Sequence, residues 1–216
     1  SLVALERLAT CAGELGSGAV TAALRSGDPG LAEGQQPTLH GRSAAIDDNL
    51  WQLWWPLLYG LAQLVGDHRF PVRAKALAVL GSTLAKYGGG FSEETWRLVF
   101  KGVVFPIMES AWTDGSAPAQ VHSACPAHSP DIDTRDGSSF ITSTAGRVFD
   151  VCVDLVAANT PGPCAHVLLH ETLSLLTESI CQEIETLARI ACDALHALVL
   201  RMPPSSPPEL WAMLCD

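Results

Sequence analysis

Positive charge is scarce in this chain. Its 216 residues carry 13 Lys and Arg against 23 Asp and Glu, a formal net charge of −10 at neutral pH. Lysines are few and scattered. Clustered Lys and Arg hold phosphate backbones, so no nucleic-acid surface is expected. The polybasic patch that anionic lipids attract is equally missing. Long apolar runs are lacking too. The nearest, Trp51 to Val65, is shorter than the roughly 20 residues that span a bilayer. It contains Gln52 and Gln63 and is flanked by Asp47, Asp48 and Asp67, so it reads as a core helix. The N-terminus carries Glu6 and Arg7 in its first turns, unlike a secretory signal. It opens on Ser1 rather than Met, as expected of a piece of a longer protein.

Alternating β-branched and aromatic runs are absent although 48% of residues are hydrophobic, which favours an all-helical chain. The seven cysteines are odd in number and irregularly spaced, which speaks against a disulfide framework. Cys11, Cys152, Cys181 and Cys192 are expected inside apolar helical faces, as reduced cytosolic thiols.

Recognisable chemistry is also thin. Gly88-Gly89-Gly90 is followed by no Lys-Ser or Lys-Thr pair, so it is a helix terminator rather than a phosphate loop. There is no GxSxG elbow. His122, Cys125 and His128 share a loop but lack the second pair that a four-ligand zinc site needs. His166 and His170, near Cys164, are four apart on a helix but enclose Val167, Leu168 and Leu169 rather than an HExxH pattern. Asp131, Asp133 and Asp136 precede Gly137 in a register one residue off a calcium loop, and Thr142 stands where a bidentate Glu belongs. No catalytic residue, metal or cofactor is therefore expected.

What the chain does contain is helical periodicity, clearest from Leu50 to Ala111. Leu50, Trp54, Leu57, Leu58, Leu61 and Leu64 share one helical face. Val72, Ala76, Val79, Leu80 and Thr83 share a second. A third helix is expected from Ser92, an N-cap with Glu93 and Glu94 in its first turn, burying Trp96, Val99, Phe100, Val103, Val104 and Ile107. Pro56 is expected to kink a single first helix rather than divide it; Pro106 raises the same question in the third. Elsewhere, helices are expected over Leu2–Leu15, Ser143–Ala158, Pro163–Ile180, Glu183–Leu200 and Pro208–Leu214.

Two stretches rich in Gly, Pro and Ser, 26–48 and 113–142, read as flexible insertions. They divide the chain into an N-terminal helical segment, 1–25, and helical repeat units at 49–112 and 143–216. A shift of about 115 residues places Val72 on Leu187, Ala76 on Ala191, Leu80 on Leu195, Glu94 on Glu209, Trp96 on Trp211 and Leu98 on Met213. Repetition of helix, breaker and Trp-bearing helix is the sign of a HEAT/armadillo-like α-solenoid, here with two disordered insertions. Arg73 and Arg189 sit near the starts of corresponding helices, where arginines tie solenoid turns together through carboxylates. Trp54 belongs to the core; Trp51 and Trp55 beside it form a possible partner-binding edge.

One stretch resembles a known family. It runs through Trp54 to Leu61, Asp67, Val72-Arg73, Ala76-Leu77, Tyr87-Gly88, Phe91-Ser92, Trp96 and Val104-Phe105-Pro106-Ile107. It is similar to the helical region downstream of the catalytic domain in large brefeldin A-inhibited, Sec-seven-like ARF guanine-nucleotide exchange factors. Cys181-Gln182-Glu183, Leu187-Ala188-Arg189 and Trp211 resemble a later part of that region. The insertions, Ile184 and the turn at Pro203 depart from the family pattern. The exchange domain, whose acidic finger displaces Mg²⁺ and phosphate, has no counterpart in these residues. The resemblance implies a non-catalytic regulatory and targeting scaffold in the cytoplasm, peripheral to Golgi and trans-Golgi membranes. Its implied partners are small GTPases of the ARF, ARF-like or Rab type and other domains of the same factor. An unrelated α-solenoid adaptor for protein–protein interaction is the alternative.

Overall fold

A computed structural model describes residues 2–17, 39–67, 69–114 and 144–215, with nine α-helices and no strand among them. They are α1 Leu2–Gly16, α2 Leu39–Val65, α3 Phe70–Tyr87, α4 Glu93–Val99, α5 Phe105–Asp114, α6 Gly146–Asn159, α7 Ala165–Ile180, α8 Glu185–Arg201 and α9 Pro208–Cys215. None of the helices is long and apolar enough to cross a membrane among the described residues. The two insertions are narrower than their composition suggests. Helix α2 already starts at Leu39, where Pro37 has been passed and Ala44-Ala45-Ile46 suits a helix, and α5 runs to Asp114. The rest of both insertions, and residues 18–25 of the N-terminal segment, lie outside the described residues.

Local chemistry explains the boundaries. Helix α2 continues through Pro56, as the single-helix reading expects. Pro56 and Gln52, whose carbonyl loses its intrahelical donor, both lie on the exposed side of α2. The turn into α3 is held by Asp67, whose carboxylate accepts from the Arg69 backbone N–H at 2.9 Å, Nε at 3.0 Å and Nη2 at 2.8 Å. Pro71 then occupies the first turn of α3. Arg73, buried, donates through Nη1 to the Asp67 carbonyl at 3.2 Å, and its guanidinium lies over the Phe70 ring. It thus fastens a turn through backbone and ring contacts, whereas Arg189, one residue out of register near the start of α8, is exposed.

Helix α3 ends in a 3₁₀ turn, Gly88–Gly90, and the reason differs from a left-handed glycine cap. Gly88 has φ −64°, in the right-handed region. It is needed for space: a Cβ there would lie 2.4 Å from the Trp96 ring. Ser92 caps α4 as expected, its Oγ accepting the Thr95 N–H at 3.2 Å, with Glu93 and Glu94 following. The α4–α5 junction is a π-helical turn, Phe100–Val104, in which the Phe105 N–H reaches the Phe100 carbonyl. Pro106 supplies the cause. Its ring would collide with the carbonyl of Gly102 in an unbroken α-helix, and the wider turn relieves that conflict.

The expected apolar faces are buried: Trp54, Leu57, Leu58 and Leu61 from α2; Val72, Ala76, Val79, Leu80 and Thr83 from α3; Trp96, Val99, Phe100, Val103, Val104 and Ile107 beyond. Leu64 packs against this core half-buried, and the side chain of Leu50 lies outside the described residues. Helix α1 buries Leu5 and Ala12 against α2 and α3, while Ala9 faces solvent. Helices α6, α7 and α8 pack on one another in the same way, α3 meets α6, and α4 meets α7. One core runs through both triplets.

The internal echo is structural. Val65 and Ile180 end α2 and α7, Phe70 and Glu185 start α3 and α8, and Glu93 and Pro208 start α4 and α9; each pair is 115 residues apart. Two successive helical units with matched boundaries make the chain solenoid-like. The echo weakens outside the core, where Leu98 is exposed and Met213 only partly covered.

These contacts separate the three consecutive glycines. Gly88→Ala is expected to destabilise the chain by about 1–3 kcal/mol through overpacking against Trp96. Gly89→Ala and Gly90→Ala, which meet nothing within 4 Å, should stay within about 0.5 kcal/mol of the parent. Urea unfolding followed by circular dichroism measures all three.

A candidate partner-binding edge on α2

The three tryptophans of α2 have different surroundings. Trp54 is 7% exposed and belongs to an aromatic cluster. Its ring lies 5.4 Å from Tyr87 and 5.7 Å from Phe91, the latter edge-on, and Phe91 in turn lies 5.4 Å from the fully buried Trp96. These rings come from α2, the end of α3, the following turn and α4, so they clamp the break between α3 and α4.

Trp55 is half-buried and seats its indole on Gly102 in the π turn, where a Cβ would approach to 2.2 Å. Tyr59, one turn on and 48% exposed, stacks on Trp55 at 6.4 Å with an interplanar angle of 23°. Trp51 precedes Trp55 by one turn along α2, so its backbone continues the same row; its side chain lies outside the described residues. Trp55 is therefore both a packing residue and the inner member of an aromatic edge. Periodicity alone missed Gly102 as its seat and Tyr59 as its outer neighbour. The i, i+4 spacing of Trp55 and Tyr59 was the available signal.

A second feature lies on another side of α2. Arg7, Leu8, Thr10, Cys11, Glu14 and Leu15 of α1 face Leu53, Pro56 and Leu57 across an open groove of about 650 Å³ with mostly apolar walls.

No group of three His, Cys, Asp or Glu side chains is arranged for a metal ion among the described residues. His166 and His170 are exposed, and the Cys164 thiol donates to the Phe91 carbonyl at 3.4 Å, tying the start of α7 to the aromatic cluster. Partial burial, then the nearby Glu93 carboxylate, pushes that thiol upward. His122, Cys125, His128, Asp131, Asp133, Asp136, Gly137 and Thr142 lie outside the described residues.

The six described cysteines are free. Cys152 is buried as expected, but Cys11, Cys181 and Cys192 are exposed. Periodicity misplaced them because Cys11 lies at the edge of α1's buried stripe, Cys181 just past the end of α7, and Cys192 beyond the narrow buried stripe of α8.

Helical units stacked in register, an aromatic clamp and an open aromatic edge define an all-α, solenoid-like scaffold. Sequence similarity gives its family. Brefeldin A-inhibited guanine nucleotide-exchange protein 3 of Arabidopsis thaliana is 30% identical over 223 residues, 98% of this chain and 12% of its own length. Protein 2 of the same name and organism is 30% identical over 157 residues, 71% of this chain and 8% of its own length. The ADP-ribosylation factor guanine nucleotide-exchange factor SEC7 of Saccharomyces cerevisiae is 26% identical over 159 residues, again 71% of this chain and 8% of its own length. The chain is homologous to a segment of these large ARF guanine nucleotide-exchange factors. It spans only a small part of each. No family model matches it, and no solved structure does.

Two measurements test this geometry. Gly102→Ala is expected to displace the Trp55 ring, costing about 1–3 kcal/mol. In a Trp55→Ala background the same substitution should cost markedly less, which a double-mutant cycle in urea detects. Separately, burial pushes the Cys152 thiol up from 9.0 to about 12. The unfolded chain therefore ionises this thiol at a pH where the native chain does not, so stability falls as pH rises from about 9 towards 12. Because the thiolate is the reactive form, Cys152 should resist maleimide at pH 8 until the chain unfolds, while Cys181 and Cys192 label in the native state.

Proposed function

We propose that this chain is a non-catalytic regulatory and targeting segment of a large ARF guanine-nucleotide exchange factor. Such a factor works in Golgi vesicle trafficking, from the cytoplasmic side of Golgi and trans-Golgi membranes. The observation that carries the reading is the construction of the aromatic unit. Trp54, Trp55, Tyr87, Gly88, Phe91 and Trp96, all within the stretch that resembles the family, contact one another or the π turn before Pro106. They act as packing groups, so the likeness is a likeness of scaffold. The relatives, each matched over a small part of its length, favour this reading over an unrelated solenoid adaptor.

A scaffold of this kind positions other groups. Its open edge at Trp55 and Tyr59 offers the rigid aromatic area on which partner contacts concentrate. The partners in this reading are small GTPases of the ARF, ARF-like or Rab type and other domains of the same factor. With 23 acidic against 13 basic side chains, association with membranes runs through those partners rather than through direct attraction to anionic lipid.

The purified chain should leave the rate of labelled-nucleotide release from ARF at its intrinsic value. It should retain GTP-loaded small GTPase on a column, and Tyr59→Ala should weaken retention without lowering thermal stability. Accelerated nucleotide release would contradict the non-catalytic assignment, and absence of any GTPase retention would count against the partner assignment.

A further inference from the structure

The two units differ in how much of one helix face is covered. On α3, Leu77, Gly81 and Leu84 are buried, with spacing i, i+4 and i+7 on one face. Helix α6 packs on α3, and Val151 of α6 comes so close to Gly81 that a Cβ there would lie at 2.8 Å. Moving 115 residues on, the corresponding positions of α8 are Cys192, His196 and Val199, and all three are exposed. Leu195, matching the buried Leu80, is half-covered. The opposite face obeys the repeat fully: Val72, Ala76 and Val79 are buried, as are Leu187, Ala191 and Ala194. Helix α8 therefore leaves open the arc whose counterpart on α3 includes Gly81, the point where Val151 of the next unit's first helix packs.

We propose that the Cys192, His196 and Val199 face of α8, with Leu195 at its border, is a docking face for a further amphipathic helix of the same exchange factor. That helix sits on α8 as α6 sits on α3, which continues an interface already present inside the chain. The inference rests on the proposed function for the identity of its occupant. The register also specifies the occupant's chemistry. Where α6 brings Val151 to Gly81, the docking helix meets His196 and needs a small side chain there, with apolar groups on either side over Cys192 and Val199.

Alkylation by N-ethylmaleimide reads this face directly, because Cys192 lies in it. Cys181 serves as reference: its counterpart in the first unit, Gly66, is exposed within a longer run of structure. The measurement compares the isolated chain with the longer protein purified from the same reading frame. Cys192 should react at least about tenfold more slowly in the longer protein while Cys181 is unchanged, as expected when a local opening must precede reaction. Equal Cys192 rates would overturn the proposal. So would a dimer of the isolated chain that protects Cys192, since the face would then belong to a second copy. Val199→Asp should leave the melting temperature of the isolated chain unchanged and restore Cys192 reactivity in the longer protein; continued protection would also overturn it. A reading frame without an exchange domain would count against the functional reading alone, because Cys192 protection is scored whatever the other domains are.

Discussion

The contact between the Trp96 ring and the backbone of Gly88 governs how this chain is put together. It brings the end of α3 onto the start of α4 at a distance that admits no Cβ. Around it, Phe91 and Trp54 complete a run of rings that ties α2 to the same point. The π turn follows, and Gly102 within it receives Trp55 as Gly88 receives Trp96. Two glycines and two indoles thus set the path of the chain from α2 to α5. Large rings bury much apolar area per residue, so the joint contributes substantially to hydrophobic stabilisation.

Much of this was legible in the sequence where periodicity and capping chemistry speak directly. The buried faces of α2, α3 and α4 follow from three- and four-residue spacings, and Ser92 with Glu93 and Glu94 marks a helix start. The repeat was visible as a few paired residues, and the end of α2 and the starts of α3 and α4 recur 115 residues on. Other features depend on distance in space. Nothing local to Gly102 announces that Trp55, far back in α2, will lie on it. The glycine triplet signals a break, but only the fold reveals that Gly88 is constrained and its two neighbours are free. Composition also overstated the first insertion, because glycine and proline before Leu39 coloured the reading of a helix-compatible segment after it.

The candidate site shows the same division. Trp54 was assigned to the core by phase and Trp55 to an edge by its position beside that phase. Phase alone gives no hint that an edge tryptophan is half-seated on another helix's turn. The cysteines illustrate the cost of a binary pattern. Cys192 falls on an arc that is buried in α3 and open in α8, so the same position has two environments in two units. A solenoid-like array produces such differences at its faces, because each unit contacts only its neighbours.

If the aromatic joint holds the array together, its backbone must be among the last parts of the chain to open. Native-state hydrogen exchange tests that most directly. The account predicts that amides of Leu80–Leu84 and of Val99–Val104, on either side of the joint, share the slowest exchange and open together. Faster exchange at Val99–Val104 than in α7 and α8, with an opening independent of α3, would contradict it.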